Sequence, residues 1–264
     1  MKKTAYVIGS KVSKSLSPTI FKYWFEQNNI DAEYKYLEIK KGSFDLCIDR
    51  LLENNNVCGF NVTMPFKESV KGKLNSLNSH AEKIGAVNCV TREKNKWVGK
   101  NTDWIGFIQA IKEKNSFKKK DLAIVVGYGG AAKAVIYGLN KEGFKEIKVY
   151  NRSKEKIIDI GGIKTPNILG LEHVYQDIER ADLVVNTVPI NTLNQKKELF
   201  NLERVVAFDA VYKPKETPFL LNFRKDKRVY GISMLVNQAV PCFEEWFGKR
   251  PTIDRGLIDL WRKG

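Results

Sequence analysis

The sequence predicts an α/β protein of two domains, and three observations carry that prediction. The first is the turn Gly127-Tyr128-Gly129-Gly130-Ala131-Ala132, set between the apolar strand-like run Ile124-Val125-Val126 and a helical stretch of small residues. A second strand-like run, Glu146-Ile147-Lys148-Val149-Tyr150, follows that helix. The second observation is the alternation of strand-like and helix-like segments ahead of this unit, which makes an α/β domain of about a hundred residues. The third is length: 264 residues suffice for one large domain or two modest ones with proper cores.

Taken in order, Thr4 to Gly9 reads as a strand, Ser10 to Ser17 as a polar loop, and Pro18 as the start of a helix that runs to about Asn28. Phe21, Trp24 and Phe25 form that helix's apolar face. Glu33 to Ile39 is a strand, Phe44 to Leu52 a helix and Gly59 to Thr63 a strand ended by Pro65. A helix follows, and then a hairpin pairs Val87 to Arg92 with Lys96 to Gly99. Trp104 to Lys114 is a linking helix, and beyond the glycine-rich unit Ala181 to Asn186 and Val205 to Phe208 supply further strands of a parallel sheet. Leu235 to Phe247 and Ile253 to Trp261 have helical apolar spacing.

Composition excludes several function classes. No stretch approaches 18 uncharged apolar residues, so no transmembrane helix is expected, and the apolar part of the N-terminus is too short for a signal sequence. A cytoplasmic location is expected. Cys47, Cys58, Cys89 and Cys242 show no paired spacing, and His80 and His173 are isolated, so neither a disulfide framework nor a metal site is expected. The net charge of +15 raises the question of nucleic acid, but the one dense basic run, Lys112 to Lys120, falls between elements. Neither a recognition helix nor an aromatic RNA-stacking strand is visible.

Gly127, Gly129 and Ala132 satisfy G-x-G-x-x-(G/A), the pyrophosphate-binding pattern of a dinucleotide fold. Gly127 allows the tight turn, Gly129 lets backbone N–H groups approach a diphosphate, and Ala132 keeps the helix near its strand, with the helix N-terminus supplying partial positive charge. At the end of the second strand, 24 positions past Gly127, an NAD site usually places a carboxylate. Here the chain reads Asn151-Arg152-Ser153, with Lys156 just beyond. A guanidinium suits a 2′-phosphate, so NADP is favoured over NAD; the alternative for Arg152 is a solvated surface arginine.

Three polar clusters precede this unit. Ser15 and Ser17 stand two apart before a helix, where either is also a candidate N-cap. Asn61 and Thr63 share one face of a strand end, and Lys67 follows across a proline-stiffened turn. Gly85-Ala86-Val87-Asn88 precedes Asn101-Thr102-Asp103.

Ser15-Leu16-Ser17-Pro18, Asn61-Val62-Thr63-Met64-Pro65-Phe66-Lys67, Gly85-Ala86-Val87-Asn88 and Asn101-Thr102-Asp103, in this order and spacing, resemble shikimate dehydrogenase. Asp209-Ala210-Val211-Tyr212-Lys213-Pro214 and Gly231-Ile232-Ser233-Met234-Leu235-Val236-Asn237-Gln238 extend the resemblance over nearly the whole chain. It implies an N-terminal α/β substrate domain (residues 1–103 with 239–264, the last helices returning to it) and a Rossmann-type NADP domain (104–238). It implies reversible NADP-linked reduction of 3-dehydroshikimate to shikimate, a step of aromatic biosynthesis. Ser15 and Ser17 would bind the substrate carboxylate, with Tyr212 reaching it from the second domain. Asn61, Thr63, Asn88 and Gln238 would hold the ring hydroxyls and the reacting oxygen, where Asp103 also reaches substrate.

Lys67 and Asp103 would be the acid–base pair. A carboxylate beside lysine favours the ammonium and raises its pKa, so Asp103 would contribute orientation and a hydrogen bond to substrate; a plain salt bridge is the alternative. Cofactor contacts would come from Gly127, Tyr128, Gly129, Gly130, Ala131, Asn151, Arg152, Ser153, Lys156, Ala210 and Gly231. Two departures from the family pattern stand out: the Asn186–Asn191 loop displaces a Thr and lacks a Gly, and Cys89 replaces a Thr. The expected partner is the small-molecule substrate, without nucleic acid or membrane, for a monomer or homodimer. The rival readings are a quinate- or NAD-using relative and a non-catalytic basic binding protein.

Overall fold

The structure, a computed structural model, describes residues 2–113, 119–153, 158–160, 163–165, 168–189, 193 and 203–262. The chain divides into two compact units, Met1–Thr102 with Gln238–Gly264, and Asp103–Asn237. The first contains β1 (Lys3–Gly9), α1 (Ser17–Asn28), β2 (Ala32–Glu38), α2 (Phe44–Glu53), β3 (Val57–Val62), β4 (Ser76–Leu77), α3 (Ser79–Ile84), β5 (Cys89–Glu93) and β6 (Lys96–Lys100). The second contains α4 (Asp103–Glu113), β7 (Leu122–Val126), α5 (Gly130–Lys141), β8 (Glu146–Tyr150), β9 (Ile158–Ile160), β10 (Ile163–Thr165), α6 (Val174–Ile178), β11 (Leu183–Asn186), β12 (Val206–Asp209) and β13 (Arg228–Tyr230). Helix α7 (Gly231–Phe247) passes from the second unit to the first at Gln238, and α8 (Arg255–Arg262) lies in the first.

The first unit is a six-stranded sheet in the order β2-β1-β3-β5-β6-β4. β1 runs parallel to β2 and β3 because α1 and α2 serve as crossovers. β5 turns antiparallel to β3 and pairs with β6 through a tight hairpin in which Lys94 adopts a φ of 56°. One face packs Ile48 and Leu51 of α2 against Ile8, Phe60, Val62 and Val90. The other is aromatic: Phe21, Trp24 and Phe25 of α1 meet Phe243, and Phe21 stacks on Tyr34 and Trp246. Trp246 lies directly on β3, where a Cβ on Gly59 would overlap its indole, and its Nε1 donates to Val90 O (3.1 Å) and Thr91 Oγ1 (3.1 Å).

The second unit's main sheet has five parallel strands, β13-β12-β11-β7-β8. Leu122 to Val126 and Leu183 to Val185 are buried on both faces, which is why they read as unbroken apolar runs. Beyond β8 the chain makes a single parallel bridge between Tyr150 and Leu169. With that bridge counted as a vestigial strand, the order becomes the 3-2-1-4-5-6 of dinucleotide folds, and the switch point falls between β7 and β11.

Some details differ from the sequence reading. Helix α7 begins at Gly231, four residues before its apolar spacing becomes visible, and carries Pro241 inside. The last helix begins at Arg255 rather than Ile253. No serine side chain caps α1: Leu16 is the N-cap, Pro18 sits in the first turn, and Ser15 Oγ accepts from Ser17 N (3.2 Å). Among the described residues no helix is long and apolar enough to cross a membrane.

Candidate active site

In the first unit, the loops at one edge of the sheet are knitted together by backbone bonds. Gly9 at the end of β1 packs so closely on the loop after β3 that a Cβ would come within 2.5 Å of Thr63 Cγ2. Ser10 N donates to Met64 O (3.2 Å) and Thr63 N to Ile8 O (2.9 Å). Val87 N donates to Lys67 O (2.8 Å), which ties the lysine's backbone to the segment leading to Asn88. That segment starts where Gly85 ends α3 in the left-handed region (φ 72°). The loop bearing Ser15 is held from β2: the Glu38 carboxylate accepts from Val12 N and Ser13 N, both at 2.9 Å, and these bonds with that of the Ser13 hydroxyl hold its pKa below the usual range. Ser15 Oγ and Ser17 Oγ are 3.2 Å apart.

Behind this edge lies a buried polar network. Tyr34 OH donates to Asn61 Oδ1 (2.8 Å), and Asn61 Nδ2 donates to Asn88 O (3.0 Å) and Cys242 Sγ (3.2 Å). Asn88 Nδ2 donates to Thr102 Oγ1 (2.9 Å) and Gln238 Oε1 (3.0 Å), and Thr102 N donates to Asn88 Oδ1 (2.6 Å). Ser15, Ser17, Thr63, Lys67, Asn88 and Gln238 therefore belong to one side of the first unit. Asn61 and Asn88 both have amides engaged in this network. Tyr34 and Thr102, which sequence reasoning did not single out, are integral to the network; the polar ring of Tyr34 on a half-buried strand was the only signal for the first.

In the second unit, Gly127 adopts a φ of 104°, and a Cβ there would lie 2.5 Å from Thr187 Oγ1 and 2.7 Å from Val188 Cγ1. Gly129, the N-cap of α5, faces open space, and Ala132 is fully buried against the sheet. Tyr128 sits under the Lys133 ammonium (5.5 Å), and Gly130 and Ala131 open α5. Asn151, Arg152 and Ser153 follow β8; Asn151 Nδ2 donates to Ser153 O (3.2 Å), and Arg152 is exposed without an ion-pair partner among the described residues. A positive-φ glycine, open backbone N–H groups at a helix start and an uncommitted guanidinium suit a dinucleotide carrying a 2′-phosphate. Lys156, Ile190 and Asn191 lie outside the described residues.

At the switch point, Asn186 Nδ2 donates to Asp209 Oδ1 (2.9 Å) and Val188 O (2.9 Å), so the altered loop is anchored at its start. Ala210 N donates to Asn186 O (2.9 Å), and Gly231 packs against the carbonyls of Asp209 and Ala210 with no room for a Cβ. Tyr212 is half-buried in the loop after β12, ahead of the cis Lys213–Pro214 bond. Asp103 is the first residue of α4 and 5% exposed.

Residues 7–90 match the family model of the shikimate dehydrogenase substrate binding domain. A curated shikimate dehydrogenase (NADP(+)) from Clostridium botulinum (strain Hall) is 34% identical over 250 residues, 92% of this chain and 96% of that protein. The chain belongs to the shikimate dehydrogenase family. This is a family of oxidoreductases, and its solved members share the architecture. A shikimate dehydrogenase from Aquifex aeolicus superposes with a TM-score of 0.81 at 30% identity, covering 100% of this chain and 98% of its own. The shikimate 5-dehydrogenase of Thermus thermophilus, solved with NADP(H) and shikimate, gives 0.80 at 27% identity, with 95% of each chain covered.

Proposed function

We propose that this shikimate dehydrogenase family chain reduces 3-dehydroshikimate to shikimate reversibly with NADP, using residues 1–103 and 239–264 for substrate and 104–238 for cofactor. The observation that carries the reading is the union of Lys67 with the Asn88–Thr102–Gln238 network through the Val87–Lys67 backbone bond. Ser15 and Ser17 hydroxyls bind the substrate carboxylate, joined by Tyr212. Asn61, Thr63, Asn88 and Gln238 hold the ring oxygens, with Asn61 also bonded to the backbone of Asn88. Lys67 gives its Nζ proton to the carbonyl oxygen during reduction and takes it back in reverse, while Asp103 orients substrate and proton donor. When bound, the reduced cofactor NADPH would supply the hydride for reduction, and NADP⁺ would take it back in the reverse direction. Gly127, Gly129, Gly130 and Ala131 would cradle its diphosphate with Tyr128 beside it, Asn151, Arg152 and Ser153 would hold its adenosine end, and Ala210 and Gly231 would border the nicotinamide half. The free cysteines fit a reducing, cytoplasmic setting.

The test crosses shikimate and quinate with NADP⁺ and NAD⁺ in a spectrophotometric assay of purified protein, beside Lys67→Ala. Turnover with shikimate and NADP⁺ and a loss of about 10²-fold or more in Lys67→Ala, with cofactor binding unchanged, supports the reading. Equal rates with quinate or NAD⁺ overturn the specificity, and near-normal turnover in Lys67→Ala overturns the role of the lysine.

A further inference from the structure

The hydrogen bonds around Thr102 settle which end of each amide points where. The Thr102 N–H can only donate, so the Asn88 atom 2.6 Å from it is the oxygen. The other end of that amide, Nδ2, can also only donate. It reaches Thr102 Oγ1 at 2.9 Å and one side-chain atom of Gln238 at 3.0 Å, which must be the carbonyl Oε1. Thr102 Oγ1 accepts from Asn88 Nδ2 and retains one proton, with Asn88 Oδ1 at 3.3 Å and Gln238 Oε1 at 3.4 Å as its acceptors. Thr102, Asn88 and Gln238 are 5%, 3% and 7% exposed, so a reversed amide would set two donors against each other out of reach of water.

We propose that Thr102 is a positioning residue that fixes the amide of Gln238 with its oxygen inward. Gln238 then meets substrate with Nε2, as a donor, and selects an accepting oxygen at that point of the ring. The logic runs from one backbone N–H: it sets Asn88, and Asn88 with the Thr102 hydroxyl sets Gln238. Cys242 closes the same cluster, its Sγ 3.5 Å from Thr102 Oγ1 and 3.3 Å from Gln238 O, which restrains the first helical turn after Gln238. This inference rests on the reading that Gln238 touches substrate.

The experiment is steady-state kinetics on the full chain for Thr102→Val, Thr102→Ser, Gln238→Ala and the Thr102→Val/Gln238→Ala double variant. Thr102→Val keeps shape and the backbone N–H but removes Oγ1. It should raise the KM for shikimate about fivefold, the equivalent of one neutral hydrogen bond, and leave the KM for NADP⁺ unchanged. Thr102→Ser should return it to within about twofold, since it restores the same hydroxyl. In the Gln238→Ala background the Thr102→Val effect should vanish, because Thr102 acts through that amide. Additive effects, or no change in Thr102→Val, overturn the proposal while the substrate reading stands. An unchanged shikimate KM in Gln238→Ala overturns both. Thermal melting checks that each variant is folded, and Thr102→Ala carries the same comparison if the valine variant is not.

Discussion

Asp209 shows how much a single buried residue decides in this chain. It is 1% exposed and accepts from Asn186 Nδ2 (2.9 Å), Val211 N (3.0 Å) and Thr217 Oγ1 (2.5 Å), so one carboxylate joins the end of β11 to the loop carrying Tyr212. Burial pushes its pKa up, and the three donors offset that only in part. A raised pKa means the folded state holds the proton more tightly than the unfolded chain does. Its contribution to stability is therefore fully present below the ordinary carboxylate range and is lost as pH rises through the raised value. Asp209→Asn removes this titration while its Nδ2 can face Thr217 Oγ1. The melting temperature of the variant relative to the parent should climb as pH rises through that range and then level off. A difference that stays constant with pH would show that Asp209 does not titrate as described. Nothing in the string Asp209-Ala210-Val211 marks this role, because burial and the Asn186 contact exist only after β11 and β12 pair.

At the scale of elements, the close approach of α7 to β3 leaves no room for one methyl group on Gly59. Gly59 carries no side chain where the Trp246 indole lies on the strand, and the indole N–H is satisfied by Val90 O and Thr91 Oγ1. Gly59→Ala should cost about 1–3 kcal/mol, the range for overpacking, read as a lowered urea midpoint with an unchanged slope. In a Trp246→Ala background the cost should nearly disappear, since the overlap is with that ring. An equal penalty in both backgrounds would assign it to backbone conformation instead. The individual elements were legible: Pro18 marked the start of α1, and Phe21, Trp24 and Phe25 marked its buried face. The start of α7 was not, because Gly231 to Met234 has no apolar period and is helical through its packing in the fold.

For the whole molecule, the net charge of +15 acts over distances that salt controls. The exposed Arg152 guanidinium lies just past β8, and on the proposed reading it would meet the 2′-phosphate of NADP. Raising NaCl from about 50 mM to about 500 mM shortens the screening length, so the KM for NADP⁺ should rise more steeply than that for NAD⁺, which lacks that phosphate. Parallel slopes would mean that no cation faces the 2′ position, and Arg152 would then be a solvated surface arginine.

The amino-acid sequence by itself determined the α/β class and the glycine turn of the second unit. These depend on local spacing: apolar runs of strand length, small residues at a helix start and glycines at fixed offsets. It also presented the short polar motifs in order, which sufficed for the family. Only the tertiary structure decided what those polar residues do among themselves. Asn61 turns inward to Tyr34 and Asn88, each 27 positions away, and to Cys242, 181 positions away. Gln238 meets Asn88 across 150 positions, and Thr102 arbitrates between them. Hydrogen-bond direction in a dry interior depends on which donors and acceptors the folded chain brings within about 3 Å, and no local pattern encodes that.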